Sequence, residues 1–198
     1  MTDTTNSANV TLDPKTTALV VIDLQQGIVG AQTAPYTAAD VVERSARLAK
    51  RFREAGATVV LVHVDPGPNG VLFPRPLADI ERPRMASNPD FATIVSDVGP
   101  EAGDVVVTKH SPSAFFATDL ELQLRRRKID TIVLCGIATN IGVEATARTG
   151  YEHGFNLVFA SDAMTARDGE LHEIVVRKFF PTIGRVRTAE EILKAMSS

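Results

Sequence analysis

Six short apolar runs, rich in β-branched residues, recur along this chain, and segments with helical spacing separate most of them. The runs occupy residues 18–24, 58–64, 104–109, 131–135, 157–160 and 184–187. Near-continuous apolar strands are typical of parallel sheets that are covered on both faces. Strands that alternate with helices indicate right-handed βαβ units. The sequence therefore predicts an α/β fold of three layers, in which helices cover both faces of a six-stranded parallel sheet.

The chain is long enough for one domain with a sizeable core. It has 198 residues, 44% of them hydrophobic and 23% charged, which is the composition of a soluble globular domain. Residues 1–14 are polar and end at Asp13-Pro14, so we predict a flexible N-terminal arm there and a single domain over residues 15–198.

Charge and hydropathy argue against several classes of function. The formal net charge of -3 provides no basic footprint for nucleic acid, and the basic cluster at residues 125–128 fits the C-terminal end of a helix facing water. No apolar run approaches the roughly 20 residues of a membrane span, and the polar N-terminus lacks the apolar core of a secretory signal. The single cysteine, Cys135, rules out an internal disulfide and a cysteine-rich zinc site. We therefore expect a cytoplasmic protein that binds neither nucleic acid nor a membrane.

Two of the buried runs carry a charged residue at or near their C-terminal end, Asp23 and Lys109. A carboxylate near the end of a buried strand is costly unless it is paired, hydrogen-bonded or protonated. If both strands deliver their carboxyl ends to one crevice, Lys109 is the natural ion-pair partner of Asp23. Asp23 is then either a catalytic acid or base, or an ordinary strand-end residue that caps a loop.

The stretch at residues 131–148, TIVLCGIATNIGVEATAR, is typical of a strand, a tight turn and a helix. Asn140 is the predicted N-cap, and Gly142 would lie in the first helical turn. Such a turn presents backbone N–H groups at the positive end of the helix dipole, where an anion or a developing oxyanion can be held. The alternative is that any strand-to-helix turn of an α/β protein has this pattern. Gly136 and Gly142 fit neither the dinucleotide nor the Walker phosphate-loop pattern, and no cofactor is predicted.

A long loop over residues 65–89 is rich in proline and glycine. Long loops in compact α/β domains are often lids or binding loops. Its arginines, Arg75, Arg82 and Arg84, are candidates to meet an anionic substrate, although solvated surface charge is the simpler interpretation for each of them. Phe115 and Phe116, further along the chain, are core or helix-packing residues unless one of them lines a pocket.

Three helix starts carry the pattern of a capping box, in which a threonine and an acidic residue three positions later bond each other's backbone N–H groups. The pairs are Thr37 with Asp40, Thr118 with Glu121 and Thr188 with Glu191. We therefore predict helices that begin directly after Thr37, Thr118 and Thr188.

Four segments of the chain resemble the isochorismatase-like hydrolases, in that family's order and with compatible spacing. They are VVIDLQ at residues 20–25, VVVTKHSPSAFFATDLELQLR at 105–125, IVLCGIATNIGVEATARTGYEHGF at 132–155 and SDAMT at 161–165. The resemblance covers the chain from Thr17 to the last helix. It implies a six-stranded parallel sheet of Rossmann-like type, a site at the carboxyl ends of the strands, and assembly as a homo-oligomer, a dimer or a tetramer.

The resemblance also implies roles for the turn after the fourth strand. The peptide bond between Ile137 and Ala138 is expected to be cis, and the backbone N–H groups of Ala138 and Gly142 are expected to form an oxyanion site. The substrate-binding residues predicted with it are Phe115, Ile137, Thr139, Asn140 and Arg84.

The sequence departs from the family at the nucleophile. Most members that it resembles are cysteine hydrolases with a triad of Asp, Lys and Cys, and their nucleophile stands where this chain has Gly142. Cys135 lies seven residues earlier and is better interpreted as a small buried apolar residue. The nicotinamidase branch binds a metal through an Asp-x-His arrangement and a further His after the second strand. The sequence HVDPG at residues 63–67 does not match it, so we predict no metal.

With glycine at the nucleophile position, this chain resembles the isochorismatases themselves. Their reaction, the hydrolysis of a vinyl ether, needs no covalent enzyme intermediate. The first hypothesis is therefore a hydrolase of a small anionic metabolite such as isochorismate, with Asp23 as the general acid. A general acid needs a raised pKa, whereas the Lys109 charge beside Asp23 would lower the pKa of Asp23. We therefore expect substrate carboxylates to take up the charge of Lys109 on binding, which leaves Asp23 protonated. The second hypothesis is a silent binding protein that kept the pocket. The third is an amidase that uses Cys135 or a directly activated water.

Overall fold

A parallel sheet of six strands lies at the centre of the molecule, of which the computed structural model describes residues 10–80 and 88–196. The strands are β1 (Thr17–Ile22), β2 (Thr58–Val64), β3 (Val105–Lys109), β4 (Thr131–Ile137), β5 (Asn156–Thr165) and β6 (Arg185–Arg187). They lie in the order β3-β2-β1-β4-β5-β6, and every neighbouring pair is parallel. The predicted α/β class and its six strands are confirmed.

Helices cover both faces of this sheet. They are α1 (Gln26–Val29), α2 (Ala38–Glu54), α3 (Leu120–Arg126), α4 (Glu144–Glu152), α5 (Gly169–Ile174), α6 (Phe180–Ile183) and α7 (Ala189–Ala195). The described residues also form a 3-10 turn, Pro68–Gly70, and two π-helical turns, Thr139–Val143 and Val175–Phe179. No described helix combines the length and the apolar character that a membrane span requires.

The side chains of β1 alternate between two hydrophobic cores, one on each face of the sheet. Val21 belongs to the core that α2 and α7 cover, whereas Val20 belongs to the core that α3, α4 and α6 cover. All six residues of β1 are buried, as a strand with helices on both faces requires. Large buried side chains such as Phe52 and Phe159 each contribute about 1.5–3 kcal/mol by leaving water. The predicted three-layer arrangement is confirmed.

The N-terminal segment packs on the domain earlier than predicted. Val10 and Leu12 are buried in the core shared with α2 and α7, and the Leu12 N–H donates to the Ala195 carbonyl at 2.9 Å. The packed part of the chain therefore extends at least to Val10, ahead of the boundary predicted at residue 15. Residues 1–9, the rest of the predicted arm, lie outside the described residues.

Two of the three predicted capping boxes are present. The Thr37 box opens α2 and the Thr188 box opens α7, each with both of its reciprocal hydrogen bonds. The third prediction is wrong, because α3 begins only at Leu120, with Asp119 at the N-cap position and no side-chain cap. The Thr118 hydroxyl donates to the Ala114 carbonyl and accepts from the Leu120 N–H at 3.2 Å, so it bonds both the preceding loop and the helix start without forming a capping box.

Candidate active site

Asp23 and Lys109 meet at the carboxyl edge of the sheet. Asp23 follows β1 directly, with a positive φ of 54°, and Lys109 is the last residue of β3. Lys109 Nζ lies 2.8 Å from Asp23 Oδ2, and only 1% and 8% of the two side chains are exposed. From β1 the chain continues to β2 on one side, and from the neighbouring β4 it continues to β5 on the other side. Open α/β sheets form their ligand crevices at the carboxyl edge between two such strands. The structure therefore brings the two residues together as predicted, although β2 lies between their strands.

Further contacts hold each end of the pair. Lys109 Nζ also donates to the Pro112 carbonyl at 2.7 Å, and the Asp23 N–H donates to the Val62 carbonyl at 2.9 Å. Asp23 Oδ1 is buried and has no hydrogen-bond partner among the described residues. A buried oxygen of this kind is costly unless it carries a proton or meets a ligand.

Burial raises the pKa of Asp23 above its ordinary value, and the charges of Lys109 and, to a smaller extent, His63 act in the opposite direction. Desolvation outweighs the ion pair because the carboxyl has almost no contact with water. A raised pKa favours the protonated form. The arrangement thus has one oxygen that faces the Lys109 ammonium and a second, Oδ1, that has no hydrogen-bond partner among the described residues.

The turn after β4 approaches this pair closely because of Gly136. This residue has a φ of 117°, and a Cβ added to it would lie 2.0 Å from the Ile22 carbonyl oxygen, so only glycine fits. The close approach brings the turn beside the end of β1. The peptide bond between Ile137 and Ala138 is cis, as the resemblance led us to expect.

Gly142 lies with its backbone against the ion pair. A Cβ at this position would lie 3.0 Å from Asp23 Oδ2, 3.0 Å from Lys109 Nζ and 2.9 Å from Ile22 Cγ2. The acid, the amine and the Ile22 side chain thus occupy the space that the first atom of a side chain would need. A nucleophilic side chain fits at this position only if the pair moves.

The helix after the turn begins differently from the prediction. Thr139–Val143 form a π-helical turn with Ala138 at the N-cap position and no side-chain cap, so the predicted Asn140 N-cap is wrong. The Ala138 carbonyl accepts from the N–H groups of Ile141 and Val143, at 3.1 and 3.2 Å, and so starts the helix two residues early. Single π-turns in helices are rare and occur frequently at functional sites.

Two residues that the sequence analysis missed, Thr146 and His172, form hydrogen bonds with this turn. The Thr146 hydroxyl donates to the Gly142 carbonyl at 2.7 Å and accepts from the Ala114 N–H at 3.0 Å. The Thr139 hydroxyl is hydrogen-bonded to His172 Nδ1 at 2.8 Å. Thr146 stands four residues after Gly142, the spacing at which threonine bonds back to a helix carbonyl, so the sequence held a signal for it. For His172 the sequence held none, because its partner is 33 residues away.

The predicted substrate-binding residues lie in different surroundings. Thr139 is fully buried with its hydroxyl engaged, and Ile137 belongs to the core that α2 covers. Phe115 packs against Phe155 in the core on the other face of the sheet, with ring centroids 5.9 Å apart. This agrees with the interpretation of Phe115 as a core residue. Arg84 lies outside the described residues. Contact of any of these side chains with a substrate stays a prediction.

Cys135 is a core residue of β4. It is fully buried in the core that α2 covers, and burial raises its pKa to about 12. A thiol in such surroundings forms almost no thiolate at neutral pH and is a poor nucleophile. Within residues 10–80 and 88–196, no group of three or more His, Cys, Asp and Glu side chains is arranged to hold a metal ion.

A doubly wound parallel sheet with a buried acid and amine at its carboxyl edge, beside the switch point between β1 and β4, is typical of α/β domains that bind small ligands at this edge. The chain belongs to the isochorismatase family, because the isochorismatase domain matches residues 17–191. It is therefore a hydrolase, and several of its relatives are amidohydrolases.

Curated proteins and solved structures resemble nearly the whole chain. The uncharacterised isochorismatase family protein YecD of Escherichia coli O157:H7 is 46% identical over 185 residues, which is 93% of this chain and 98% of that protein. Maleamate amidohydrolase of Pseudomonas putida is 31% identical over 186 residues, 90% of this chain and 86% of that protein. The structure of an isochorismatase family protein from Burkholderia thailandensis matches with a TM-score of 0.90 and 41% identity, covering 95% of this chain and 98% of that one. N-carbamoylsarcosine amidase from Thermoplasma acidophilum matches with a TM-score of 0.69 and 27% identity, covering 88% and 96%.

Proposed function

We propose that this protein hydrolyses a small anionic metabolite without a covalent enzyme intermediate, with Asp23 as the general acid. The observation that carries the proposal is the Asp23 carboxyl, whose Oδ2 faces Lys109 while its buried Oδ1 has no partner among the described residues. A general acid must keep its proton near neutral pH, and burial raises the pKa of Asp23. Gly142 carries no nucleophile, and the buried thiol of Cys135, with a pKa of about 12, is a poor one.

Hydrolysis of a vinyl ether uses these groups in sequence. Asp23 transfers its proton to the terminal alkene carbon, which leaves an oxocarbenium ion at the neighbouring carbon. Water adds to that carbon and returns a proton to the Asp23 carboxylate. The resulting hemiketal collapses to a ketone, which is pyruvate when the substrate is isochorismate, and to an alcohol. Lys109 stabilises the Asp23 carboxylate while it exists. No covalent bond to the enzyme is required, because water itself adds to the oxocarbenium carbon.

An anionic substrate is favoured by the chemistry of Lys109. An ammonium group has three protons to donate, and Asp23 and Pro112 are its two described acceptors. A substrate carboxylate is a suitable third acceptor, since a charged acceptor makes the stronger hydrogen bond. Two of the similar proteins are named for substrates that are small carboxylic acids, maleamate and N-carbamoylsarcosine.

Amide hydrolysis by a directly activated water is a second candidate, which the names of those two relatives favour. In that reaction Asp23 would have to be ionised and act as a general base toward water. Burial favours the protonated acid instead, so vinyl-ether hydrolysis is the first choice. A silent pocket is less favoured, because burying an acid and an amine costs desolvation energy that a binding site does not need to spend.

The first experiment measures pyruvate release from isochorismate in a coupled assay, with substrate above roughly 1 mM so that a high KM does not hide turnover. Wild type is compared with Asp23→Asn and with Asp104→Asn. Asp104 is a matched control, because it forms a similarly buried ion pair with Arg53, at 2.7 Å, outside the site. Maleamate and N-carbamoylsarcosine are assayed in parallel by ammonia release, with Cys135→Ala included.

We expect pyruvate release that Asp23→Asn lowers by about 100-fold or more, as loss of a general acid does, while Asp104→Asn keeps the wild-type rate. Ammonia release without pyruvate release would instead support the amidase, and its persistence in Cys135→Ala would assign it to activated water. Ligand binding without turnover of any compound would identify a silent pocket and refute both reactions.

A further inference from the structure

The histidine of α5 is buried while the apolar residues of the same helix are exposed. His172 exposes 2% of its surface, whereas Leu171 and Ile174 expose 42% and 48%. His172 is also the one residue of α5 that is classed as buried. Because leucine and isoleucine are normally buried in preference to histidine, hydrophobic burial alone does not explain how this helix is oriented. A specific polar contact must account for part of the arrangement.

That contact is made with Thr139, in the turn after β4. Thr139 Oγ1 and His172 Nδ1 lie 2.8 Å apart, and both residues are buried. A hydrogen bond away from water is costly to lose, because each partner would be left unsatisfied. The Tyr36 ring lies edge-on to the imidazole, with centroids 6.1 Å apart, and so restricts the orientation of the imidazole.

The helix that carries His172 is itself held at its start. Asp168 is the N-cap of α5, and its Oδ1 accepts from the N–H groups of Glu170 and Leu171 at 2.9 and 3.3 Å. A capped helix end holds the following turn in one conformation. The imidazole therefore stands at a defined place relative to the sheet.

We propose that His172 is a positioning residue, which fixes the backbone of residues 137–142 against the Asp23–Lys109 pair through its hydrogen bond to Thr139. Thr139 stands three residues before Gly142, whose backbone lies against the acid and the amine. The position of this backbone therefore decides where the Asp23 carboxyl stands when it delivers its proton, and a catalytic group acts only if it is held in place before the reaction begins. His172 acts on the rate through Thr139 and is not itself catalytic. The effect on rate rests on the proposed function, whereas the fixing of the turn does not.

Two pairs of variants separate the hydrogen bond from packing. Thr139→Val removes the hydroxyl and keeps the shape of the side chain, and Thr139→Ser keeps the hydroxyl. His172→Leu removes the polar ring, and His172→Asn keeps a polar group near the position of Nδ1. The double variant Thr139→Val with His172→Leu tests whether the two side chains act as a unit.

The turn is observed directly by NMR of protein labelled with nitrogen-15 glycine. The amides of Gly136 and Gly142 report on the turn, and those of Gly56 and Gly103 report on distant parts of the fold. We expect Thr139→Val and His172→Leu to shift the first two amides and to leave the other two in place. Unchanged amides of Gly136 and Gly142 would overturn the proposal, and this measurement needs no substrate.

The rate is measured on the substrate that the wild type hydrolyses. We expect kcat to fall about tenfold or more in Thr139→Val and in His172→Leu, with a much smaller change in KM and partial recovery in Thr139→Ser and His172→Asn. The double variant should be no slower than the slower single variant. Ile192→Val and Ile192→Ala, in α7, show what loss of stability does by itself, because Ile192 is a buried core residue of another helix.

A fall in kcat no larger than that of an Ile192 variant with the same unfolding midpoint would overturn the positioning role. Independent, additive losses in the double variant would do so as well. If the wild type hydrolyses none of the compounds, the proposed function fails, while the glycine amides still decide whether His172 fixes the turn.

Discussion

The Asp23 carboxyl lies against the backbone of Gly142, so closely that a Cβ on this glycine would come within 3.0 Å of Asp23 Oδ2. The absence of a side chain at Gly142 and the position of the Asp23 carboxyl therefore depend on each other. Because protein atoms rather than water surround the carboxyl, burial and not Lys109 sets the direction in which the pKa of Asp23 moves. Because Gly142 has no side chain, the desolvated Asp23 carboxyl can lie directly against its backbone.

Gly142→Ala should lower kcat by about tenfold or more, because the added Cβ forces the acid or the amine out of place. Gly150→Ala, in α4, is the matched control. Its Cβ would meet Leu157 and Phe115 at 3.4 Å, an ordinary contact distance, and alanine favours a helix over glycine by about 1 kcal/mol. Steady-state kinetics and urea unfolding of the two variants make the comparison, and equal rates would show that the pair tolerates a side chain.

Lys109→Met should raise the pKa of Asp23 further, because it removes the largest influence that lowers this pKa. An acid whose pKa is raised on folding contributes stability below its ordinary value of 3.8 and loses that contribution as the pH rises through the folded pKa. The variant should therefore lose most stability at neutral and alkaline pH and least in acid. Urea unfolding across the pH range and a carbon-13 titration of the Asp23 carboxyl measure this. A titration identical to that of the wild type would mean that Lys109 does not control Asp23.

Cys135→Ala should keep the wild-type kcat and lower the free energy of unfolding by about 1–2 kcal/mol, as removal of a small buried side-chain group does. The native thiol should also resist iodoacetamide at neutral pH, because burial raises its pKa to about 12. Mass spectrometry of native and urea-unfolded protein gives the extent of alkylation. Rapid alkylation of the native protein together with loss of activity in the variant would restore the cysteine amidase hypothesis.

The stability of the protein should decrease as His172 is protonated. Burial lowers its pKa below the ordinary value of 6.5, and the nearby Glu173 opposes this shift. The unfolded chain then binds the proton more readily, so the contribution to stability is complete above pH 6.5 and is lost as the pH falls through the folded pKa. Urea midpoints of wild type and His172→Asn at about pH 8 and about pH 5 test this linkage. From the higher to the lower pH, the urea midpoint of the wild type should fall further than that of His172→Asn. Equal falls in the two proteins would contradict the prediction.

Local patterns were sufficient for the number of strands, for most strand positions and for two helix starts, whereas β5 continues to Thr165, beyond the predicted run at 157–160. The run at residues 58–64 coincides with β2, and the Thr37 and Thr188 capping boxes open α2 and α7. These features depend on neighbours in the sequence, through side-chain periodicity and hydrogen bonds three residues apart. The meeting of Asp23 with Lys109 also followed, because parallel strands bring their carboxyl ends to one edge of the sheet.

Other hydrogen bonds decided the features that the sequence did not predict, and some of them are local. The Thr118 hydroxyl bonds the Ala114 carbonyl and the Leu120 N–H without forming a capping box, and the Ala138 carbonyl starts a π-turn where Asn140 was the predicted cap. His172 and Thr139 find each other only in the folded chain.

The sequence by itself therefore determined the α/β class and the absence of a side chain at Gly142. It also determined that Asp23 and Lys109 lie at the carboxyl ends of two strands. Only the tertiary structure decided that Asp23 Oδ1 is left without a partner among the described residues and that the pKa of Asp23 rises. The physical reason is that strand and helix formation depend largely on local spacing. Desolvation, in contrast, depends on every atom that surrounds a group, and those atoms come from segments far apart in the chain.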